Sequence, residues 1–414
     1  LEKCFFFKFC ILLENVFGVD KIFSRGGKFF MLNYFLTDEQ KEIKALARQV
    51  AEEKIIPVRE KYDRENQFAW EIVKVFAETG LTSVYLPKEY GGLGGGLFEL
   101  VLVIEELSRA CGGIALSLAA TALGIMPIVM FGSSEQKQKY VPDAASGKKL
   151  AAFSITEPSS GSDIGFILTR AEKKGDYYIL NGNKQWVSNG GEADIYTVVA
   201  ATDPSKGPRG ASAFIVEKGY EGFSFGKKED KMGIRSSATR TLIFEDCKVP
   251  KENLLDKEGR GFIIALKNFD HGRPGVASQA IGIAQGALDL ATSYAKDRKQ
   301  FGKSIASFQA IQVMLADMAT QVEAARALNY AVSKAIDASK GVRFTKEASM
   351  AKLFASDMAM KVTTDAVQIL GGYGYMKDYP AEKMMRDAKI TQIYEGTNQI
   401  QRNMIAASLL KEYP

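Results

Sequence analysis

The spacing of apolar residues changes twice along this chain, and that double change limits the fold more than any other feature. Between Thr37 and Pro57, Ile43, Leu46, Ala47 and Val50 fall on one helical face, and Thr37 with Gln40 makes a capping-box pattern. Further helical patterns cover 70–79, 97–110 and 115–130, and Ser134-Glu135-Gln136 opens a short polar helix. Near residue 150 the period shortens. AAFSITEP, DYYILNGNKQW, DIYTVVAAT, SAFIVEKG and TRTLIFEDCKVP read as strands, with Asn181-Gly182-Asn183 expected to form a hairpin turn. From Gly259 long helices return: Ile281, Ala284, Leu288 and Ala291 share one face, as do Ala351, Phe354, Met358 and Val362 on a later helix that ends at Gly371-Gly372. The expectation is an α+β multidomain protein, with a helical domain over 31–150, a β domain over 151–258 and a helical bundle over 259–414.

Several classes of chemistry drop out. There is no βαβ series and no G-x-G-x-x-G after a strand, which argues against a Rossmann domain. The glycine cluster LPKEYGGLGGG at 86–96 lacks a Walker lysine and reads as a structural loop. His271 is the single histidine, so Ser-His-Asp and Cys-His catalysis are excluded. The 4 cysteines have no metal-type spacing, and no metal site is expected. Catalysis has to come from carboxylates or a cofactor. Net charge is +5, of which residues 1–30 carry about +2, a weak basis for nucleic-acid binding.

Residues 1–30 stand apart from this organisation. The run FFFKFCILL at 5–13 is too short to span a bilayer, and Glu2, Glu14 and Asp20 do not suit an organellar transit peptide. Met31 is the expected true start, with Arg25-Gly26-Gly27-Lys28 as the in-frame translation of a purine-rich ribosome-binding site; an ordinary disordered extension is the alternative.

Four motifs then carry chemistry: FSITEPSSGSD (153–163), KQWVSNG (184–190), DRKQFGKSIASFQ (297–309) read with QILGGYGYMKDYPAEKMMRD (368–387), and QIYEGTNQIQR (392–402). A tryptophan and a hydroxyl two residues apart on a strand share a face, which suits an aromatic wall beside a flat ring. The glycines of GGYGY let backbone N–H groups approach a pyrophosphate, and Arg298 adds a planar donor fork. Together with the order of elements, the motifs resemble the acyl-CoA dehydrogenase family from about residue 35 to 412.

The resemblance implies a barrel-like middle domain, a C-terminal four-helix bundle and FAD as cofactor. Phe153, Ile155, Thr156, Trp186 and Ser188 would lie against the flavin ring, with Ser188 near N5. Arg298, Gln300, Phe301, Gln309, Gln368, Ile369, Leu370, Gly371 and Gly372 would hold the ADP half, partly across a subunit interface, and Thr397, Asn398 and Gln399 are matched to further FAD contacts. Ser162, Asp270, His271, Gly272, Arg273, Tyr394 and Gly396 would line the acyl-CoA site, with Gly396 keeping the backbone clear of thioester and flavin. Glu395 would be the base that removes the α-proton, its pKa raised by burial, while the β-hydrogen leaves as hydride to flavin N5. Some branches carry the base on an earlier helix; here Gly272 stands in that segment, which leaves Glu395.

The pocket floor is expected from CGGIALSLAATALG (111–124), with Ala115, Leu116, Ala119 and Ala120 as an apolar wall. The glutaryl-CoA branch places an arginine where this chain has Ile114, so an uncharged short or medium acyl chain, butyryl-CoA first, is implied. Also implied are electron transfer flavoprotein as acceptor, a homotetramer, and a cytoplasmic location in a bacterium or the mitochondrial matrix in a eukaryote, without nucleic-acid or membrane partners. An acyl-CoA oxidase using O2 and a DNA-associated flavoprotein relative are the rival readings.

Overall fold

A computed structural model describes residues 34–339 and 342–413; the expectations for the leader and for Met31 lie outside them. Helix α1 (Asp38–Val50) begins at Thr37, where the capping box forms, and is followed by a π turn, Ala51–Ile55. Then come α2 (Arg59–Arg64), α3 (Trp70–Glu78), α4 (Leu97–Ala110), α5 (Gly112–Phe131) and α6 (Ser134–Ala145), the last capped by Ser133. The glycines at 94–96 are structural: added Cβ atoms would meet the Lys88 side chain, the Val84 carbonyl and the Asp337 carboxylate within 2.7 Å.

The strands are β1 (Ala151–Ser154), β2 (Arg170–Lys174), β3 (Tyr177–Ser188), β4 (Ile195–Ala201), β5 (Ala211–Glu217), β6 (Phe223–Phe225), β7 (Thr239–Pro250) and β8 (Leu254–Leu255). They make one sheet in the order β6-β7-β3-β2-β4-β5-β8, with β1 added parallel to β4. Asn181-Gly182-Asn183 is not a turn. It lies inside β3 beside a break in register, where Gly182 has φ 138° and a Cβ would stand 2.7 Å from Thr169 Cα. The hairpin turn is Gly175-Asp176, between paired Lys174 and Tyr177.

Helix α7 (Gly261–Asp297) runs 37 residues, about 55 Å. A two-stranded hairpin follows, β9 (Lys299–Gln300) and β10 (Lys303–Ser304), then α8 (Gln309–Ala338), α9 (Thr345–Leu370), α10 (Ala381–Thr391) and α11 (Asn398–Glu412). The N- and C-terminal helices share one apolar core, and the sheet has its own. Phe354, expected on the core face of α9, is instead 42% exposed. By length and composition α5 could cross a membrane. Its packing shows a core helix: a Cβ on Gly124 would stand 2.4 Å from Ala152 N, and Thr197 Oγ1 donates to the Gly124 carbonyl at 2.9 Å.

Candidate active site

Three pieces of backbone enclose a cavity of about 320 Å³. One face of α7 supplies Phe269, Gly272, Arg273, Val276 and Gln279, which recur at helical spacing. The sheet supplies Phe153, Ile155, Thr156, Trp186 and Ser188, and the loop between α10 and α11 supplies Tyr394, Glu395 and Gly396. Apolar side chains close the far side: Leu97, Leu100 and Ile104 from α4, and Leu116, Ala119, Ala120 and Leu123 from α5.

The sheet wall is fixed from behind by a buried ion pair. Lys184 Nζ lies 2.7 Å from Glu157 Oε1 and donates to the Ile155 carbonyl at 3.1 Å. Glu157 also accepts from the N–H groups of Leu168 and Thr169, at 2.7 and 2.9 Å. Burial brings the Lys184 ammonium down to about 8, against the pull of Glu157. Gln185 N–H donates to the Thr156 carbonyl at 2.8 Å, which joins the two wall segments. Strict strand alternation does not place Trp186 and Ser188. The register breaks between Lys184 and Val187, and Trp186 has φ 55°. This irregularity leaves the indole 61% exposed along the cavity wall.

Glu395 sits in the left-handed region at φ 50°, followed by Gly396 at φ 91°. Gln401 Nε2 donates to both carbonyls, at 3.1 and 2.9 Å, and Lys352 Nζ donates to that of Gly396 at 2.8 Å. Oε2 of Glu395 is shut away from solvent without a hydrogen-bond partner. Burial pushes the carboxyl up to about 7, opposed by the charges of Arg273 and Lys352. Three more buried polar atoms on cavity-lining residues are orphaned: Ser154 Oγ, Asn268 Oδ1 and Arg273 Nε. These four atoms are donors and acceptors that a bound molecule could engage.

Other expected site residues fall into two groups. Ser162 and His271 line the same cavity, and His271 Nδ1 lies 3.1 Å from the Lys267 carbonyl. Arg298, Gln300, Phe301 and Ile369–Gly372 line a second, more open cavity of about 710 Å³. Gln309 and Gln368 lie outside both linings and are exposed on their helices. Thr397 caps α11 by accepting from Ile400 N–H at 3.3 Å, and Gln399 is exposed.

Four readings change. Asp270 faces away from the cavity, bonded to Thr345 Oγ1 at 2.9 Å and paired with Arg343 at 3.1 Å. Asn398 is buried, with its side chain engaged by Lys352, Ser356 and Asp357. Gly396 is required by its φ and by Gln401, whose Nε2 would lie 2.7 Å from a Cβ. Ile114 and Ala115 are buried in the core and do not line the cavity.

Sequence reasoning passed over Lys184, Gln279, Lys352 and Gln401, and the α4 face. Leu97, Leu100 and Ile104 carry only a core-helix signal. Gln279, with Arg273, is a polar residue on an otherwise apolar face of α7; it accepts from Tyr394 Oη and donates to the Gly112 carbonyl at 2.9 Å.

Comparison with known proteins fits this geometry. The Acyl-CoA dehydrogenase N-terminal, middle and C-terminal domain patterns match residues 37–148, 152–247 and 259–410. The chain belongs to the acyl-CoA dehydrogenase family. A short-chain-specific acyl-CoA dehydrogenase of Clostridium acetobutylicum is 46% identical, over 92% of this chain and 100% of its own. The structure of butyryl-CoA dehydrogenase from Megasphaera elsdenii superposes with a TM-score of 0.89 at 47% identity, covering 92% of this chain and 100% of that one. A chain described with the electron transferring flavoprotein of Acidaminococcus fermentans matches at 52% identity, TM-score 0.89, covering 92% and 100%. The family binds FAD, as does a relative from Bacillus anthracis with 37% identity and TM-score 0.85, covering 92% of this chain and 70% of that one. The reaction of this acyl-CoA dehydrogenase family member is therefore acyl-CoA dehydrogenation.

Proposed function

We propose that the chain removes the α-proton and β-hydrogen of a short, straight, uncharged acyl-CoA, butyryl-CoA first, giving the trans-2-enoyl-CoA, with Glu395 as base. The observation that carries this is the buried, partnerless Oε2 of Glu395 facing an apolar cavity. A carboxyl raised to about 7 is half ionised at neutral pH and holds an abstracted proton well. The Glu395 backbone N–H finds no acceptor among the described residues, so it is free to donate to a thioester oxygen as the enolate charge develops. Arg273, behind the carboxylate, already shares its charge with Asp270 at 3.6 Å. The apolar far wall would leave a charged acyl tail unpaired.

The cavity suits FAD. Phe153, Ile155, Thr156, Trp186 and Ser188 would hold its ring, and Arg298, Gln300, Phe301 and Ile369–Gly372 its ADP half. When bound, FAD supplies the acceptor for the β-hydrogen and its electron pair. The chain's own part is to orient the α-carbon toward Oε2, exclude water with the α4 and α5 side chains, and keep the proton on Glu395. Electron transfer flavoprotein as acceptor and a homotetramer complete the reading.

An anaerobic titration with acyl-CoAs of graded length, followed by flavin absorbance, tests it. Bleaching greatest with the four-carbon chain and lost in Glu395→Gln is expected; undiminished bleaching in Glu395→Gln would remove the base.

A further inference from the structure

The proton-abstraction scheme leaves one buried charge without a use. Lys352, on α9, is fully buried, and its Nζ donates to the Gly396 carbonyl and to Asn398 Oδ1, each at 2.8 Å. Both acceptors belong to the segment that follows Glu395. Asn398 is itself held by Ser356 Oγ at 2.9 Å and Asp357 Oδ1 at 2.7 Å. Holding the loop does not require a cation, since the neutral Gln401 amide binds the same Gly396 carbonyl at 2.9 Å. Burying an ammonium is costly unless the charge is used.

We propose that Lys352 is the positioning residue for the base: it clamps the left-handed Glu395-Gly396 turn and adds to the positive charge of Arg273 against which the Glu395 carboxylate ionises. This rests on Glu395 being the base. The surrounding charges support the assignment. Arg273 also faces Glu395, but its guanidinium is shared with Asp270, which Arg343 contacts in turn. Asp357, behind Lys352, is taken up by Arg402 at 2.7 Å. Tyr394, His271 and Asp337 line the same cavity as the carboxyl, and Asp337 accepts from the N–H groups of Leu97 and Phe98 at 2.9 and 2.8 Å. Among the described residues Lys352 has no carboxylate in ion-pair contact; burial brings its ammonium down to about 7, and Glu395 is the charge that most opposes this. A nearby cation lowers a carboxyl pKa, which keeps a buried base from being stranded as the acid.

The test is the pH profile of kcat for the flavin-loaded enzyme with butyryl-CoA. Lys352→Gln keeps a donor and removes the charge, and Lys352→Met fills a similar volume without either. In both, the acidic limb is expected to move upward by about one unit or more, with KM near the wild-type value. Lys352→Arg, which keeps the charge, is expected to return the limb toward its original position. A limb that stays in place in either folded neutral variant overturns the proposal, and the second variant covers a folding failure of the first. Glu395→Gln separates the two readings: if it is inactive while the Lys352 profiles are unmoved, only the role of Lys352 fails; if it is active, the base assignment fails first.

Discussion

Gly272 and Glu395 meet so closely that a Cβ on Gly272 would stand 2.4 Å from Glu395 Oε2 and 2.8 Å from Leu123 Cδ1. The two positions address one point in space from different elements. Glycine at 272 leaves the Glu395 carboxylate the space that a side chain there would take.

Gly272→Ala should therefore damage catalysis more than folding. Both atoms that the new methyl meets are ends of flexible side chains, so the helix tolerates it, but the carboxylate has to move. Base positioning is worth 10²–10⁴-fold, and a loss of about 10² in the rate of flavin bleaching is expected in stopped flow. Flavin content and melting temperature should stay near wild type. Undiminished bleaching would show that the carboxylate position is not critical.

The pH dependence follows from the same carboxyl. Its pKa lies at about 7 when folded, against 4.5 ordinarily, so the folded state binds the proton more tightly. kcat/KM should rise with pH through about 7 as the base ionises. For stability the sign is opposite: the preference for the folded state is full below 4.5 and lost as pH rises through 7. Glu395→Gln should then gain roughly 1–3 kcal/mol over wild type at pH 8 and little at pH 4.5. Denaturant melts at the two pH values measure it, and an equal difference at both would refute the linkage.

The elements were legible because period and capping are local properties. Thr37 with Gln40, and the shift to strand spacing near residue 150, announce themselves within a few residues. Glu395 was legible through its motif, and the fold puts it on the cavity wall. What the sequence hid depends on distant packing. Asn181-Gly182-Asn183 has hairpin chemistry, yet Thr169 and the β7 pairing hold it inside a strand. Asp270 adjoins cavity residues and Asn398 lies two positions from Gly396 and Ile400, yet the side chains of both are engaged elsewhere. Lys352 lies on an ordinary helical pattern, and only the fold brings it to the loop carrying Glu395.

The ion pair behind the sheet wall gives a stability prediction. Lys184 and Glu157 are both buried, 2.7 Å apart, and together they hold 155–157 against β3. Lys184→Met leaves the Glu157 carboxylate without its cation, and breaking a buried pair costs about 3–5 kcal/mol. A lower melting temperature and a reduced flavin-to-protein ratio after gel filtration are expected, since the wall that would face the ring loses its anchor. A variant that melts like wild type with full flavin content would show the pair to be dispensable.

The last prediction concerns the open cavity beside the β9–β10 hairpin. Phe301 at its tip has φ 53° and is 92% exposed, with an edge contact to Phe308 at 6.0 Å. Tyr373, Tyr375 and Met376 nearby are also exposed, and Cβ atoms on Gly371 or Gly372 would meet nothing within 4 Å. An exposed aromatic cluster beside a large, mostly apolar cavity marks an interaction surface. If a second copy of the chain covers it and completes the site for the ADP half of FAD, one substitution should disturb assembly and cofactor together. Phe301→Asp is expected to reduce the assembled mass in light scattering and to release flavin on gel filtration, without altering the cavity around Glu395 some distance along α7. A variant that keeps its mass but loses flavin would make the patch a cofactor contact within one chain. One that loses neither would mean that the exposed aromatics serve another surface.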